Sequence, residues 1–224
     1  ENEKRGETFA IVIRSVLRIF VVLIAVLTIL SILGVPVTSL VAGISILGIA
    51  VGLGSQSLVK DVIQGMLIIA ENQLRKGDIV RIKGRAGLVE DLNLRRILIR
   101  DLDGALHIIP NGSTDIITNL TSQWSRVNIE INVSYEEDLE KAIKTLNDIG
   151  DKVDNDQNIG RFIKEKPRVW TITSFSDSGV RLKFVGVTQP GKQWEVRTQV
   201  IREIKIAFDD EGIKIPYNQI RVIN

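Results

Sequence analysis

Ile49 and Leu53 stand one helical turn apart within GISILGIAVGLGSQSL, residues 43–58, and most of their neighbours are small. Wound at 100° per residue, this stretch puts Ile46, Ile49, Leu53 and Gln56 on one face. Ser45, Gly48, Gly52 and Ser55 flank that face on one side, and Gly43, Ala50, Gly54 and Ser57 on the other, interrupted by Leu47. A glycine inside a helix costs roughly 1 kcal/mol relative to alanine, so these positions need a compensating use. Small residues let helix backbones approach closely in a bilayer, where packing drives association. A helix with two small flanks suits a ring of identical helices, each giving one flank to each neighbour. The large apolar stripe then faces the axis, and stacked rings of Ile49 and Leu53 would gate a pore by dewetting. The same glycines would also serve a non-conducting anchor packed against other helices.

Other chemistry is thinly represented. Cysteine is absent, which fits a reducing compartment and excludes disulfides and thiol nucleophiles. The single histidine, His107, lies in the apolar run ALHIIP without a second ligand nearby, so it reads as a half-buried structural residue rather than a metal ligand. Asp101 to Gly104, DLDG, resembles the start of a calcium loop but lacks the later Glu, and a hairpin turn is the expectation. The glycines match neither G-x-G-x-x-G nor a Walker loop. Carboxylates are scattered among Lys and Arg on polar faces. No catalytic residues, metal or cofactor are expected, and the chain does not read as an enzyme. After Val59 there are 25 Lys and Arg against 24 Asp and Glu, which leaves no electrostatic footprint for nucleic acid.

The elements that must position the stripe follow from the charge pattern. No charged residue occurs from Ile19 to Val59, a gap of 41 residues. A spanning helix needs about 20 apolar residues, so the gap is two spans long, and Gly34-Val35-Pro36-Val37-Thr38 supplies the turn. A secretory signal is shorter, about 7 to 15 apolar residues. The expectation is a hairpin of two membrane helices, the first from Thr8 to Leu33. Lys4, Arg5, Arg14 and Arg18 before it, with Lys60, Arg75 and Lys76 after the second, place both ends in the cytoplasm. From Leu58, the residues Val62, Met66 and Ile69 recur at helical spacing while Lys60, Asp61 and Gln64 fall elsewhere, predicting an amphipathic interfacial helix. Short strands with turn signals from Gly77 to Gly112 predict a small β-barrel or sandwich. Next come a strand Val127–Val133, a helix Glu136–Val153 opened by the capping box Ser134 to Glu137, strands Arg168–Phe175 and Val180–Val187, and a helix Lys192–Asp210 closed at Gly212. That order predicts an α/β domain of the split βαβ kind. A last strand, Gln219–Ile223, has no partner that the sequence identifies.

The segments LGIAVGLGSQSLVKDVIQG, KGDIVRIKG, GLVEDLNLRR and HIIPNG, in this order, resemble the small-conductance mechanosensitive (MscS-like) channel family. The resemblance implies a homoheptamer in the plasma (inner) membrane, multi-pass, with a Gly/Ala-packed pore helix and a cytoplasmic vestibule. The implied fold is a membrane α-helical pore domain, a cytoplasmic β-domain (a small Sm-like barrel), an α/β domain (split βαβ, ferredoxin-like) and a C-terminal strand. Domain bounds are expected at 1–34 for the helix before the pore helix, 35–70 for the pore and interfacial helices, 71–124 for the β-domain, 125–213 for the α/β domain and 214–224 for a strand in an intersubunit barrel. Carried over by motif, Ile49 and Leu53 form the constriction, with Ile where one constriction position is Leu in relatives. Gly48, Ala50, Gly52 and Gly54 pack the pore helix. Better-known members bend at a glycine where this chain has Ser57, and Gly65 matches a later glycine; both are expected hinge positions. The implied function is release of ions and small solutes under membrane tension during osmotic downshock, with self and membrane lipids as partners. A membrane-anchored scaffold or ligand-sensing protein is the alternative. The chain lacks an initiator Met and opens just before a span equivalent to the last one preceding the pore helix, so it is expected to be a fragment or processed product with further helices ahead of it.

Overall fold

Helix α1 (Asn2–Ile32) and helix α2 (Thr38–Ala70) cover the charge-free stretch, and the turn between them shows why one does not run into the other. Gly34 adopts φ +80°, a left-handed conformation that glycine enters at little cost. There the Val35 N–H donates to the Leu30 carbonyl at 3.0 Å and the Gly34 N–H to the Ser31 carbonyl at 3.1 Å. These two bonds satisfy the last carbonyls of α1 in the Schellman pattern, and Pro36 delays the next helix to Thr38. The computed structural model describes residues 2–216, so the expected strand Gln219–Ile223 lies outside the described residues. Helix α1 starts at Asn2 rather than Thr8.

The chain divides into two compact units, Glu1–Val59 and Lys60–Asn224. The first holds α1 and the leading part of α2. The apolar helices Arg14–Ile32 and Thr38–Ala70 have mean hydropathies of 2.7 and 1.8, and the most apolar stretch of each is unburied within the single chain. Helices this apolar and this bare require lipid or other helices around them. Two of their hydroxyls are suited to that environment, because Ser45 donates to the Val41 carbonyl and Thr28 to the Ile24 carbonyl, each at 2.8 Å and one turn back.

The second unit carries two sheets. Strands β1 (Ile79–Ile82), β2 (Arg85–Leu92), β3 (Arg96–Arg100), β4 (Leu106–Pro110) and β5 (Ile117–Asn119) form an antiparallel sheet in the order β4-β3-β2-β1-β5. Alternation turns Val80, Ile82, Val89, Ile97 and Ile99 inward, and Ile68 of α2 and Leu74 complete that core. Strands β6 (Ser125–Ser134), β7 (Ile163–Ser176) and β8 (Gly179–Thr188) form a second antiparallel sheet in the order β6-β8-β7. Helices α3 (Leu139–Asp154) and α4 (Gln193–Glu211) cover one face of it, closing a core around Leu146, Leu182, Phe184, Val200 and Phe208. The β-α-β-β-α order with this strand arrangement is the split βαβ plan.

Two details differ from expectation, and the end of α2 adds one that the sequence did not predict. Helix α3 begins at Leu139, not Glu136, and its cap is Asp138, whose carboxylate accepts from the backbone N–H of Glu140 at 2.9 Å and of Lys141 at 3.2 Å. Ser134 is still in β6, so the Ser134 to Glu137 box does not form; a carboxylate nearer the apolar run caps the helix one turn later. Strand β7 starts five residues before Arg168, at Ile163, because the charged and Pro-containing run before Arg168 is an edge rather than a loop. The end of α2 buries Asp61, Gly65 and Ile68, whereas Leu58, Val62, Met66 and Ile69 are exposed in the single chain. The amphipathic stripe is thus not the surface that meets the β-domain.

Candidate pore helix and its anchorage

Helix α2 is helical at every residue from Thr38 to Ala70, passing through Ser57 and Gly65 without interruption. Within the first unit its large apolar side chains stand free, with Ile49 and Leu53 exposed to 64% and 69%. A methyl group built at Gly43, Gly48, Gly52 or Gly54 would meet nothing within 4 Å. The grooves at these glycines are therefore open in one chain, with room for a close-packed neighbour on either side of the Ile49 and Leu53 face. No ionisable residue falls between Ile19 and Val59, so this part of the helix has no proton relay or gating charge.

The end of α2 is built differently. Asp61, Gly65 and Ile68 follow one another at spacings of four and three residues and form a single helical face. The Asp61 carboxylate accepts from the Gly112 backbone N–H at 2.8 Å, a buried bond, while Arg95 Nε lies 4.0 Å from its other oxygen. At Gly65 a methyl group would collide with the Leu94 carbonyl and the Asn111 side-chain amide, so only glycine permits this approach. Asn111 in turn donates its amide to the Asn93 carbonyl at 2.8 Å, and its backbone N–H donates to the Arg95 carbonyl at 2.9 Å. Asn111 Oδ1 is buried without a partner among the described residues. Three motifs far apart in the chain, KDVIQG, LNLRR and IPNG, thus meet at one contact.

Sequence reasoning missed Asp61, Asn93, Arg95, Asn111 and Gly112. The available signal was Asp61 itself, the first acid after the long charge-free run, standing four residues before a glycine on an otherwise apolar helix. His107 lies where expected, half-buried in β4, and its Nε2 sits 2.9 Å from Asp101 Oδ2. The hydrogen bond from His107, helped by the Ala105 N–H, holds the Asp101 carboxyl below its ordinary range. Asp101 to Ala105 is the β3–β4 hairpin turn, closed by the Gly104 N–H on the Asp101 carbonyl at 3.2 Å. Among the described residues no group of three or more His, Cys, Asp or Glu could hold a metal ion.

Known proteins share these parts in the same order. Residues 15–56 match the family described as "Mechanosensitive ion channel, transmembrane helices 2/3", residues 57–122 its β-domain and residues 127–215 "Mechanosensitive ion channel MscS, C-terminal". A small-conductance mechanosensitive channel of Caldanaerobacter subterraneus subsp. tengcongensis is 34% identical over 221 residues, 99% of this chain and 77% of that protein. The moderate conductance mechanosensitive channel YbiO of Escherichia coli is 33% identical over 98% of this chain, which spans only 30% of YbiO. The crystal structure of Helicobacter pylori MscS in a closed state superposes with TM-score 0.75 at 28% identity, covering 94% of this chain and 82% of that one. Arabidopsis thaliana MSL1 shares the fold at TM-score 0.65 and 18% identity, covering 90% of this chain and 74% of that one.

Proposed function

The chain belongs to the MscS family of mechanosensitive ion channels, and from that premise we propose that it opens under membrane tension and releases ions and small solutes on hypoosmotic shock. It is a membrane protein, and its relatives are channels rather than enzymes. Our reading is a multi-pass protein of the plasma (inner) membrane, with residues 71–213 in the cytoplasm and a ring of seven copies. The observation that carries the reading is the open groove on both sides of the Ile49 and Leu53 face. Neighbouring copies seated in those grooves turn Ile49 and Leu53 toward the axis as stacked apolar rings, which stop ions by dewetting.

Tension favours the state of larger in-plane area and so supplies the differential free energy that a gating equilibrium requires. In this mechanism α1 is drawn outward, the flanks at Gly48, Ala50, Gly52 and Gly54 slide past one another, and the rings leave the axis. Ser57 and Gly65 are the places where α2 would bend. The bond from Gly112 to Asp61 and the close approach at Gly65 fasten the end of the helix to the β-domain.

Pressure-clamped recording from the purified chain in liposomes tests this. Stepwise currents that appear above a threshold suction and vanish on release support it. Patches that stay silent up to lytic tension while holding the protein would instead favour a membrane-anchored scaffold.

A further inference from the structure

The β-domain and the α/β domain share one compact unit but not one core. Val80, Ile82, Ile97 and Ile99 belong to one buried cluster, and Leu146, Leu182, Phe184 and Phe208 to another. Residues 120–124, between the end of β5 and the start of β6, join them. Among the described residues no backbone hydrogen bond runs from one domain to the other. Three side chains of the α/β domain reach the joining segment instead. Ser125 Oγ donates to the Leu120 carbonyl at 2.9 Å, Gln193 Nε2 to the same carbonyl at 3.3 Å, and Lys164 Nζ to the Gln123 carbonyl at 3.0 Å. Domains joined this thinly are expected to move relative to each other.

The pivot can be placed within the segment. Its front belongs to the β-domain, because the Leu120 N–H donates to the Ile79 carbonyl at 2.8 Å and Thr121 Oγ1 accepts from the Ile79 N–H at 3.0 Å. Its rear goes with β6, where the Arg126 guanidinium covers the Trp124 ring 5.2 Å from its centre. Between the two, Gln123 adopts φ +59° and the Trp124 N–H donates back to the Ser122 carbonyl at 2.6 Å. A three-residue turn with positive φ at its centre is the strained form of the γ-turn, and a residue with a β-carbon enters it at a cost.

A second cost falls on the same joint. Gln193, the first residue of α4, is 8% exposed, and its Oε1 is buried without a partner among the described residues. Leaving a buried acceptor unpaired costs more than one long hydrogen bond returns, and opening the joint would give that oxygen water. The closed joint therefore carries both the strained turn and the unpaired oxygen, and opening relieves both. Hinges are a few loop residues that absorb a change of φ and ψ, which is the position of Ser122 to Trp124. We propose that Ser122 to Trp124 form a hinge with Gln193 as its catch, so that the α/β domain tilts against the β-domain while the bond from Gly112 to Asp61 stays closed. This follows from the fold alone and does not depend on how the pore opens.

Hydrogen exchange of the full chain in nanodiscs, read by mass spectrometry over residues 120–126 and 192–197, tests the hinge. Exchange through local opening reports the population of the open joint. Gln123→Gly removes the strain of the turn. Gln193→Met removes the unpaired oxygen at nearly constant shape, and the Leu120 carbonyl keeps Ser125 as its donor. Each substitution is expected to slow exchange about fivefold in both segments, after correction for intrinsic rates, with peptides from β1 and β8 unchanged. The diagnostic effect is the distant one: Gln123→Gly slows the first turn of α4, and Gln193→Met slows the linker. Slowing confined to the substituted segment overturns the hinge, as does no slowing in either variant. Slowing of equal size in β8 makes the two residues contributors to global stability and also overturns it.

Discussion

Two stretches of the same helix use glycine in opposite ways. Gly48, Gly52 and Gly54 face empty space in the single chain, whereas Gly65 is pressed against the Leu94 carbonyl and the Asn111 amide of its own chain. The first set weakens the helix without any return visible in one copy, and the return proposed for it is a neighbouring copy seated against it. The second has its return in hand, since removing a side chain lets the Asp61 face reach the β-domain. A glycine with an open groove is thus a statement about assembly, and a glycine without one is a statement about folding.

The largest expected effect separates the two stretches by function. Leu53→Ser places a hydroxyl on the apolar face of the open-groove stretch and hydrates the proposed constriction. Patches carrying it should conduct without applied suction, and cells expressing it should leak. Tight closure at the usual threshold would remove Leu53 from the gate.

The next contrast is between Gly65→Ala and Gly52→Leu. Overpacking at Gly65 should cost about 1–3 kcal/mol, lowering the melting temperature of the Lys60–Asn224 unit by roughly 3–10 °C. Trp124, Trp170 and Trp194, the only tryptophans, all lie in that unit, so their fluorescence reads its unfolding selectively. Gly52→Leu should leave that melting temperature unchanged and instead wedge the ring apart, read as loss of the assembled mass. If Gly52→Leu assembles normally, the packing argument fails; if Gly65→Ala melts like the parent, the close approach is not a constraint.

A smaller effect comes from the polar half of the same anchorage. Asp61→Ala strands the buried Gly112 N–H and should cost about 1–3 kcal/mol in the same fluorescence melt, while Asp61→Asn keeps an acceptor and should recover most of it. Equal melting of the Ala and Asn variants would show that the hydrogen bond contributes nothing.

Local patterns carried the elements, and distance along the chain hid what joins them. The two spans and their turn follow from 41 residues without charge and from Gly34-Val35-Pro36, and both sheets follow from alternation and turn residues. Helical periodicity drew attention to Leu58, Val62, Met66 and Ile69, because apolar residues are what that test counts. The β-domain takes the neighbouring face, where Asp61 supplies a hydrogen bond and Gly65 supplies room. Its partners Leu94, Asn111 and Gly112 are 29 to 51 residues further on, beyond the reach of any window. The Ser134 cap failed for a related reason: two cap sequences four residues apart compete, and tertiary context selects Asp138, the one beside the apolar run. Strand β7 was cut short because charge and Pro167 argue against a central strand, which β7 is not.

The smallest effect concerns pH and lies away from both glycine sets, in the hairpin that leads through β4 to Asn111 and Gly112. The Asp101 carboxyl is held below its ordinary range, first by the hydrogen bond from His107 and then by the Ala105 N–H. The folded chain therefore binds this proton more weakly than the unfolded chain does. Its stabilising contribution is fully present above the unfolded carboxylate value of about 4 and is lost as pH falls from there through the lower folded value. Asp101→Asn has no such proton to take up, so the gap in melting temperature between parent and variant should narrow as pH falls below about 4. A gap that stays constant down to pH 3 would show that the His107–Asp101 pair does not stabilise the hairpin. A gap that narrows without any change in the tension threshold would place the pair in the stability of the β-domain alone, and the anchorage at Asp61 would then be mechanically independent of the strand that carries it.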